Sequence, residues 1–224
     1  MTILVNTEER RVILYTSFLK VNEEKQRIII NAALNEFSKY PYDSASTNKI
    51  VKEAGISKGL IFHYFGSKKN LYLFLLDYVF SKYSEATFEH FDLTEPDIFQ
   101  RYKQLLSIQR NLVQQNPAFF SFMNMVHMEK SPEVASELET KQSLNGEDNY
   151  DKFLKGIDYS LFKEGIDTKY ALNTIKWILD GLSNRYNQQY KESNYDIDVY
   201  YTLADQCAAE MEKYFLFLKP LFYK

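Results

Sequence analysis

The stretch STNKIVKEAGISKGLIFHYFGSKKNL, residues 46–71, decides how the N-terminal part of the chain folds. It predicts two short helices with a tight turn between them. Gly55 ends the first helix, because glycine enters the left-handed conformation of a helix C-terminus at little cost. Ser57 can cap the second helix, in which Ile61 and Phe65 lie four residues apart and share one face. Two short helices that share an apolar seam across a glycine turn are typical of a helix-turn-helix.

The opposite face of the second helix is the part that can meet a partner. Lys58, Gly59, Phe62 and His63 lie away from the apolar seam. A helix that exposes such residues in its early turns can enter the major groove of DNA. Two other interpretations stay open: the helix pair serves only for packing, and His63 is merely solvated on the helix surface.

The ends of these helices add candidate contacts to phosphates. Ser46 is placed to cap the first helix, with Thr47 just inside it, so the N-terminal amides can bind a phosphate. Tyr64 and Lys68 lie at the far end of the second helix, where they can reach the DNA backbone. The predicted DNA contacts are Ser46, Thr47, Lys49, Ser57, Lys58, Gly59, Phe62, His63, Tyr64 and Lys68.

Part of this stretch, AGISKGLIFHYFGSKKNL (residues 54–71), resembles the motif of TetR-type transcriptional repressors. The shared pattern runs from a small residue, glycine, an apolar residue and serine to a final Ser-Lys-x-x-Leu. The resemblance is specific over about Glu23 to Tyr78. The chain departs from the family at Phe62, where the family usually has tyrosine. A hydroxyl contact to DNA is therefore missing, and we expect Phe62 to touch a thymine methyl group instead.

The resemblance implies a homodimer that binds a near-palindromic DNA operator and a C-terminal domain that binds a small-molecule effector. In the family, the last two long helices of each subunit form a four-helix dimer interface. This chain also ends in two long helices with wide apolar faces, from about residues 168 and 198. We expect them to form the dimer interface, and the alternative is that they complete an internal bundle.

The composition favours long helices, because only 7 Gly and 5 Pro occur among 224 residues. We predict an all-α fold in three parts. These are an N-terminal extension (1–21), a three-helix DNA-binding domain with the helix-turn-helix (22–67), and a helical effector-binding and dimerisation domain (68–224). The extension carries Arg10 and Arg11. It is expected to pack locally or to be disordered, with a DNA-contacting arm as the alternative.

Capping residues and helix breakers predict the helix boundaries. Asn22 is placed to cap a helix that ends before Tyr40-Pro41. Asn116-Pro117 ends one helix and opens the next. A later helix starts near Ser131-Pro132, and Asn145-Gly146 is expected to interrupt or kink it before it resumes to about Lys163.

Residues 117–128 are apolar nearly all round, so this segment is expected to lie deep in the C-terminal domain. Methionine and phenylalanine together adapt to irregular ligands, and an apolar or aromatic effector is the predicted partner. Ordinary core packing is the alternative. The predicted ligand-binding residues are Phe119, Phe122, Met123, Val126 and Trp177.

The net charge of −3 is unusual for a DNA-binding protein, but the charge is unevenly distributed. Residues 39–69 contain six lysines and two acidic residues, so a local basic patch is available for phosphates. Cys207 is the only cysteine and can form no internal disulfide, which suits a cytoplasmic protein. No stretch is long and apolar enough to span a membrane, and the first residues lack a signal-peptide pattern.

The sequence gives no positive sign of catalysis. His63, His90 and His127 lack a second ligand at metal-binding spacing, and no phosphate loop, nucleophile elbow or cysteine pair occurs. We therefore expect no enzyme, no metal and no cofactor. The predicted function is a ligand-responsive repressor. A helical module that binds another protein is the alternative, and an enzyme that modifies small molecules ranks last. The effector, the operator and the choice between repression and activation stay open.

Overall fold

Helices account for almost all of the regular structure in the computed structural model, which describes residues 15–224. They are α1 (Glu23–Phe37), α2 (Thr47–Glu53), α3 (Lys58–Phe65), α4 (Lys68–His90), α5 (Ile98–Gln115), α6 (Pro117–Met128), α7 (Ala135–Leu154), α8 (Thr168–Glu192) and α9 (Ile197–Phe222). Within the described residues no strand forms, and a single antiparallel bridge pairs Phe162 with Tyr223. The all-α prediction is confirmed.

Side chains at the predicted positions start several of these helices. The Lys25 amide donates to the Asn22 side chain at 2.8 Å, so Asn22 caps α1. Pro117 occupies the first turn of α6, directly after Asn116. Asp167 accepts two amide hydrogen bonds at the start of α8. Each cap satisfies amides that have no partner within their own helix, which is why such residues mark helix starts.

The chain divides into two compact units, and each draws on two separate stretches of sequence. The first unit contains described residues 15–83 and 116–147, and the second contains residues 84–115 and 148–224. Helix α4 therefore begins in the first unit and ends in the second. The domain boundaries predicted at 21/22 and 67/68 follow function rather than packing, and they stay a prediction.

The first unit has a core rich in aromatic side chains. Helix α1 packs against α2 and against α6, and α2 packs against α3. The ring of Tyr72 lies edge-on to Phe37 at 4.9 Å and to Phe122 at 5.5 Å. Residues 117–128 thus differ from the expectation that they lie deep in the C-terminal domain. Their aromatic side chains complete the core beside the helix-turn-helix instead.

The described end of the N-terminal extension also packs on this core. Residues 15–19 are helical. Phe18 is fully buried, with its ring 4.8 Å from Phe65 and 5.3 Å from Phe74. The Tyr15 hydroxyl donates to the Asn70 carbonyl at 3.0 Å. Residues 15–21 therefore pack locally, which was one of the predicted alternatives. Arg10 and Arg11 lie outside the described residues.

The second unit is built around the α8–α9 hairpin, against which α5 packs. Phe99 and Phe215 meet at 5.6 Å in its core, and the Tyr223 ring lies 5.3 Å from Phe99. Cys207 is buried there, as expected of a small apolar side chain. The Tyr223 hydroxyl, just after α9, accepts from the Ile98 amide at 3.2 Å. It therefore provides a hydrogen-bond partner for the first amide of α5.

The prediction that Asn145-Gly146 interrupts the helix is wrong, because α7 continues through both residues and ends at Leu154. A kink at these residues stays a prediction. One glycine inside a helix costs only about 1 kcal/mol relative to alanine. Packing along twenty helical residues readily offsets that cost. The segment predicted to stay helical to Lys163 instead contains a short 3₁₀ turn at Tyr159–Leu161.

Candidate nucleic-acid interface

The turn between α2 and α3 has the geometry that the sequence predicts. Gly55 adopts a left-handed conformation with φ of 64°. The Ile56 amide donates to the Val51 carbonyl at 3.0 Å, and the Gly55 amide donates to the Lys52 carbonyl at 3.3 Å. This pair of bonds is a Schellman motif, which closes the end of α2 and redirects the chain. It sets the position at which α3 begins.

Helix α3 has one buried side and one exposed side. The Ser57 hydroxyl accepts from the Leu60 amide at 3.2 Å and caps the helix. Ile61 and Phe65 are buried, as the four-residue spacing predicts. Lys58, Gly59 and His63 are exposed, and Phe62 is 36% exposed. The exposed side can therefore meet a partner without any change in the core.

Two of the predicted DNA contacts differ from the expectation. Tyr64 is only 7% exposed, and its ring packs 5.6 Å from Phe18, because it follows Ile61 by three residues and shares the inner face. Ser46 stands at the cap position of α2, but its side chain makes no capping bond. Its amide donates to the carboxylate of the buried Glu36 at 2.8 Å. That amide is therefore already in use.

The remaining predicted contacts lie at or near the surface. Lys49 and Ser57 are exposed, whereas Thr47 and Lys68 are half-buried. The Lys49 ammonium lies 4.4 Å from the centre of the Tyr40 ring. Of the six lysines between residues 39 and 69, Lys69 is paired with Glu137 at 2.6 Å. In the described part of the chain, no carboxylate pairs with Lys39, Lys49, Lys52 or Lys58, which leaves their charges available to phosphates.

A polar cluster that joins the loop before α2 to the segment between α6 and α7 was not predicted from the sequence. The Tyr42 amide donates to Glu129 at 2.6 Å, and its hydroxyl donates to Glu133 at 2.8 Å. Ser131 donates to the Asp43 carboxylate at 2.8 Å. Burial, together with the bond to Glu133, raises the pKa of the Tyr42 hydroxyl, which keeps it protonated as a donor. These partners lie 87 to 91 residues apart in sequence, so no local pattern could reveal them.

The same cluster holds Lys68 at the start of α4. Its ammonium donates to the Asp43 carbonyl at 3.3 Å and lies 4.7 Å from the centre of the Tyr42 ring. Neither contact is an ion pair, but the cluster also contains the carboxylates of Asp43, Glu129 and Glu133. The cluster fixes where the Lys68 side chain lies, and a contact between Lys68 and a phosphate stays a prediction.

The predicted ligand-binding residues do not form one group. Phe122 and Val126 are buried in the core of the first unit, and Phe119 and Met123 pack against that core. Trp177 belongs to the second unit, on α8, and is 66% exposed. Their assignment to an effector site stays a prediction.

Residues 15–224 contain no group of three or more His, Cys, Asp or Glu side chains that could hold a metal ion. No described helix combines the length and apolar character needed to cross a lipid bilayer.

The family model for bacterial regulatory proteins of the tetR family matches residues 29–74, which run from within α1 into the first turns of α4. Two curated regulators each match part of the chain. The chain is 43% identical over 60 residues to the HTH-type transcriptional regulator YuxN of Bacillus subtilis (strain 168), covering 27% of this chain and 21% of that protein. It is 36% identical over 66 residues to the HTH-type transcriptional regulator HbdR of Aromatoleum sp. (strain CIB), covering 30% and 29%. The matches therefore span less than a third of each relative.

Solved structures resemble a larger part of the chain. A tetR-family transcriptional regulator from Streptomyces coelicolor aligns with a TM-score of 0.58 at 17% identity, over 90% of this chain and 84% of that one. The fatty acid degradation regulator FadR from Bacillus halodurans aligns with a TM-score of 0.58 at 19% identity, over 86% and 96%. At these identities the likeness establishes the fold alone. The named relatives are transcriptional regulators, a class without enzymatic activity.

Proposed function

We propose that this member of the TetR family of transcriptional regulators is a homodimeric repressor that binds a near-palindromic operator and leaves it when a small molecule binds. The observation that carries the proposal is the exposed face of α3, held by the turn at Gly55 and the cap at Ser57. It acts in the cytoplasm, where bacterial DNA lies.

Helix α3 lies in the major groove in this proposal. Lys58 and His63 contribute donors, and the Phe62 ring meets a thymine methyl group. Lys49 and Lys68 contact phosphates on either side, which fixes the register of the helix in the groove. A twofold assembly places two such helices about 34 Å apart, one turn of DNA.

Dimerisation through the α8–α9 hairpin is supported by its exposed apolar side chains. Tyr170, Trp177, Leu216 and Phe217 are between 63% and 71% exposed, and Leu221 is 50% exposed. The start of α8 and the end of α9 lie at the same end of the hairpin, since the Lys163 amide donates to the Phe222 carbonyl at 2.8 Å. A patch of this kind on a single chain marks an interaction surface.

An effector would act through its differential affinity for two arrangements of the dimer, one that fits the operator and one that does not. Helices α4 and α7 both span the division between the two compact units. Because α4 begins directly after α3, it is the helix placed to transmit a change in the second unit to the DNA-binding helices.

Fluorescence anisotropy with labelled duplexes from the region upstream of the gene tests the proposal. The wild-type protein should bind one duplex preferentially, and the affinity should fall steeply with salt as counterions compete for the phosphates. Lys58→Glu should weaken binding by about tenfold or more at low salt, because it places a negative charge against the DNA. Lys155→Glu, an exposed lysine of the second unit, is the matched control and should bind like wild type.

No preference for any duplex, or equal binding by Lys58→Glu and wild type, would contradict the proposal. A wild-type protein that forms an intact dimer but binds no duplex would favour the alternative that the first unit binds a protein.

A further inference from the structure

A cavity in the second unit lies between α5 and the α8–α9 hairpin and has a volume of about 560 Å³. This is within the range of pockets that hold drug-sized ligands, roughly 300–1,000 Å³. Its aromatic lining comes from Tyr186, Tyr190, Tyr200 and Phe215. Ala204 and Ala208 lie one helical turn apart on α9 and leave the space that larger side chains would fill.

The charged groups of the lining cancel one another. Lys103 pairs with Glu212 at 2.7 Å, and Arg110 pairs with Asp205 at 2.8 Å, so both ion pairs join α5 to α9. The other lining side chains are apolar, hydroxyl, thiol or amide groups. A charged ligand would have to disrupt one of these pairs, whereas a neutral ligand would leave both intact.

The titratable groups inside the cavity are also neutral near pH 7. Burial raises the pKa of Tyr200 to about 12 and that of the Cys207 thiol to about 11. The rings of Tyr190 and Tyr200 lie 5.4 Å apart at an angle of 64°. Aromatic rings in this arrangement present both faces and edges, which favours a further flat ring over a flexible chain.

The cavity and the proposed dimer surface share the α8–α9 hairpin. On α8, Tyr186 lines the cavity and Trp177 belongs to the dimer surface; they are nine residues apart, which is two and a half helical turns, so they lie on opposite sides of the helix. On α9, Leu216 follows the lining residue Glu212 by four residues and shares its face. A partner that covers Leu216 therefore reaches the rim of the cavity at Glu212.

We propose that this cavity binds a neutral, planar aromatic molecule and, resting on the proposed function, that it is the effector site of the repressor. The site is distinct from the residues of α6 predicted from the sequence. The ligand lies against Tyr186, Tyr190 and Phe215, and the two ion pairs stay formed at its rim. Its binding changes the packing of α5 on the hairpin.

Isothermal titration calorimetry at pH 7 with three matched probes tests the site: 2-naphthol, which is neutral, 2-naphthoate and 2-naphthylmethylammonium. The wild-type protein should bind 2-naphthol, and both charged probes about tenfold more weakly or less, because a charge must be desolvated without a free partner. Ala208→Phe should abolish 2-naphthol binding by filling the cavity, whereas Ala208→Ser should retain it. Circular dichroism confirms that each variant folds.

Ser107→Trp gives a second test if Ala208→Phe fails to fold, because Ser107 is an exposed lining residue where a bulky side chain blocks the cavity without entering the core. The site is overturned if no probe binds, if a charged probe binds as tightly as 2-naphthol, or if 2-naphthol still binds a folded, blocked variant.

Duplex anisotropy tests the effector role separately. Saturating 2-naphthol should weaken duplex binding by wild type and not by the blocked variant, and unchanged affinity overturns that role. Absence of duplex binding without any probe contradicts the proposed function but not the site.

Discussion

Two serines at the starts of helices differ in whether their side chains form a capping bond. Ser57 and Ser46 occupy the same position, directly before α3 and α2. Only Ser57 makes the capping bond, to the Leu60 amide at 3.2 Å. The Ser46 side chain makes none, and the start of α2 is instead joined to α1 by the bond from the Ser46 amide to the Glu36 carboxylate.

Ser57→Ala should therefore lower the free energy of unfolding by about 1 kcal/mol, the usual cost of a lost N-cap. Ser46→Ala should change it by about half of that or less. Urea titration followed by circular dichroism measures both variants. Equal losses for the two serines would show that the Ser57 hydroxyl contributes nothing specific to α3.

Gly59 separates a requirement of the fold from a requirement of DNA binding. A Cβ atom at Gly59 would meet only the Ser57 hydroxyl, at 3.9 Å, so the fold has room for alanine. Gly59→Ala should stabilise α3 by about 1 kcal/mol. It should also weaken duplex binding by about tenfold, because a methyl group on the groove face prevents close approach of the backbone.

The matched control is Gly146→Ala in α7, where a Cβ atom would meet no other atom within 4 Å. It should stabilise the protein by a similar amount and leave duplex affinity unchanged. Thermal unfolding and anisotropy measure the two effects. A Gly59→Ala protein that binds the duplex like wild type would place Gly59 away from the DNA.

Arg101 joins two irregular segments of the second unit. Its side chain is fully buried, and its guanidinium donates to four backbone carbonyls. Two belong to the segment before α5, at Leu93 and Glu95, and two to the end of α7, at Phe153 and Lys155. Five fixed donors let arginine join two irregular segments in a way that lysine cannot.

Gly156→Ala should disrupt this arrangement. Gly156 has a φ of 86°, and a Cβ atom there would lie 3.2 Å from the Leu93 carbonyl oxygen and 3.4 Å from the Arg101 guanidinium. Backbone strain and the displaced guanidinium together should cost about 3 kcal/mol. Urea unfolding and hydrogen exchange in the second unit measure the loss.

Gly165→Ala is the control, because Gly165 has a similar φ of 83° but no atom near the added Cβ. It should cost about 1 kcal/mol, from backbone strain alone. If both variants lose the same stability, crowding against Arg101 is not the cause.

Local rules predicted these elements only where the deciding contacts are local. Asn22 and Ser57 mark helix starts because a cap acts within three residues. Asn116-Pro117 marks one because proline fits the first turn of a helix. The continuity of α7 through Gly146 depends on packing along the whole helix. The inward position of Tyr64 follows from its three-residue spacing from Ile61, a local signal that the prediction of a DNA contact overlooked. The bonds from Tyr42, in contrast, depend on Glu129 and Glu133, far along the chain. Such contacts exist only after the chain has folded.

In the proposed dimer, the exposed apolar side chains of the α8–α9 hairpin are buried between the two subunits. This patch consists of Tyr170, Trp177, Leu216, Phe217 and Leu221. Burying such a patch in a dimer recovers about 25 cal/mol for each square ångström of apolar surface. A charge at its centre would have to be buried as well, without a partner.

Leu216→Glu should therefore convert the dimer into monomers, as measured by sedimentation velocity, and weaken duplex binding by at least about tenfold, because a monomer fills only one half-site. Leu144→Glu is the matched control: Leu144 is also an exposed leucine, 55% against 71% for Leu216, but lies on α7 in the first unit. It should leave the dimer and its DNA affinity unchanged. A dimer that survives Leu216→Glu would place the subunit interface elsewhere, whereas a monomer that keeps full affinity would remove the twofold operator from the proposal.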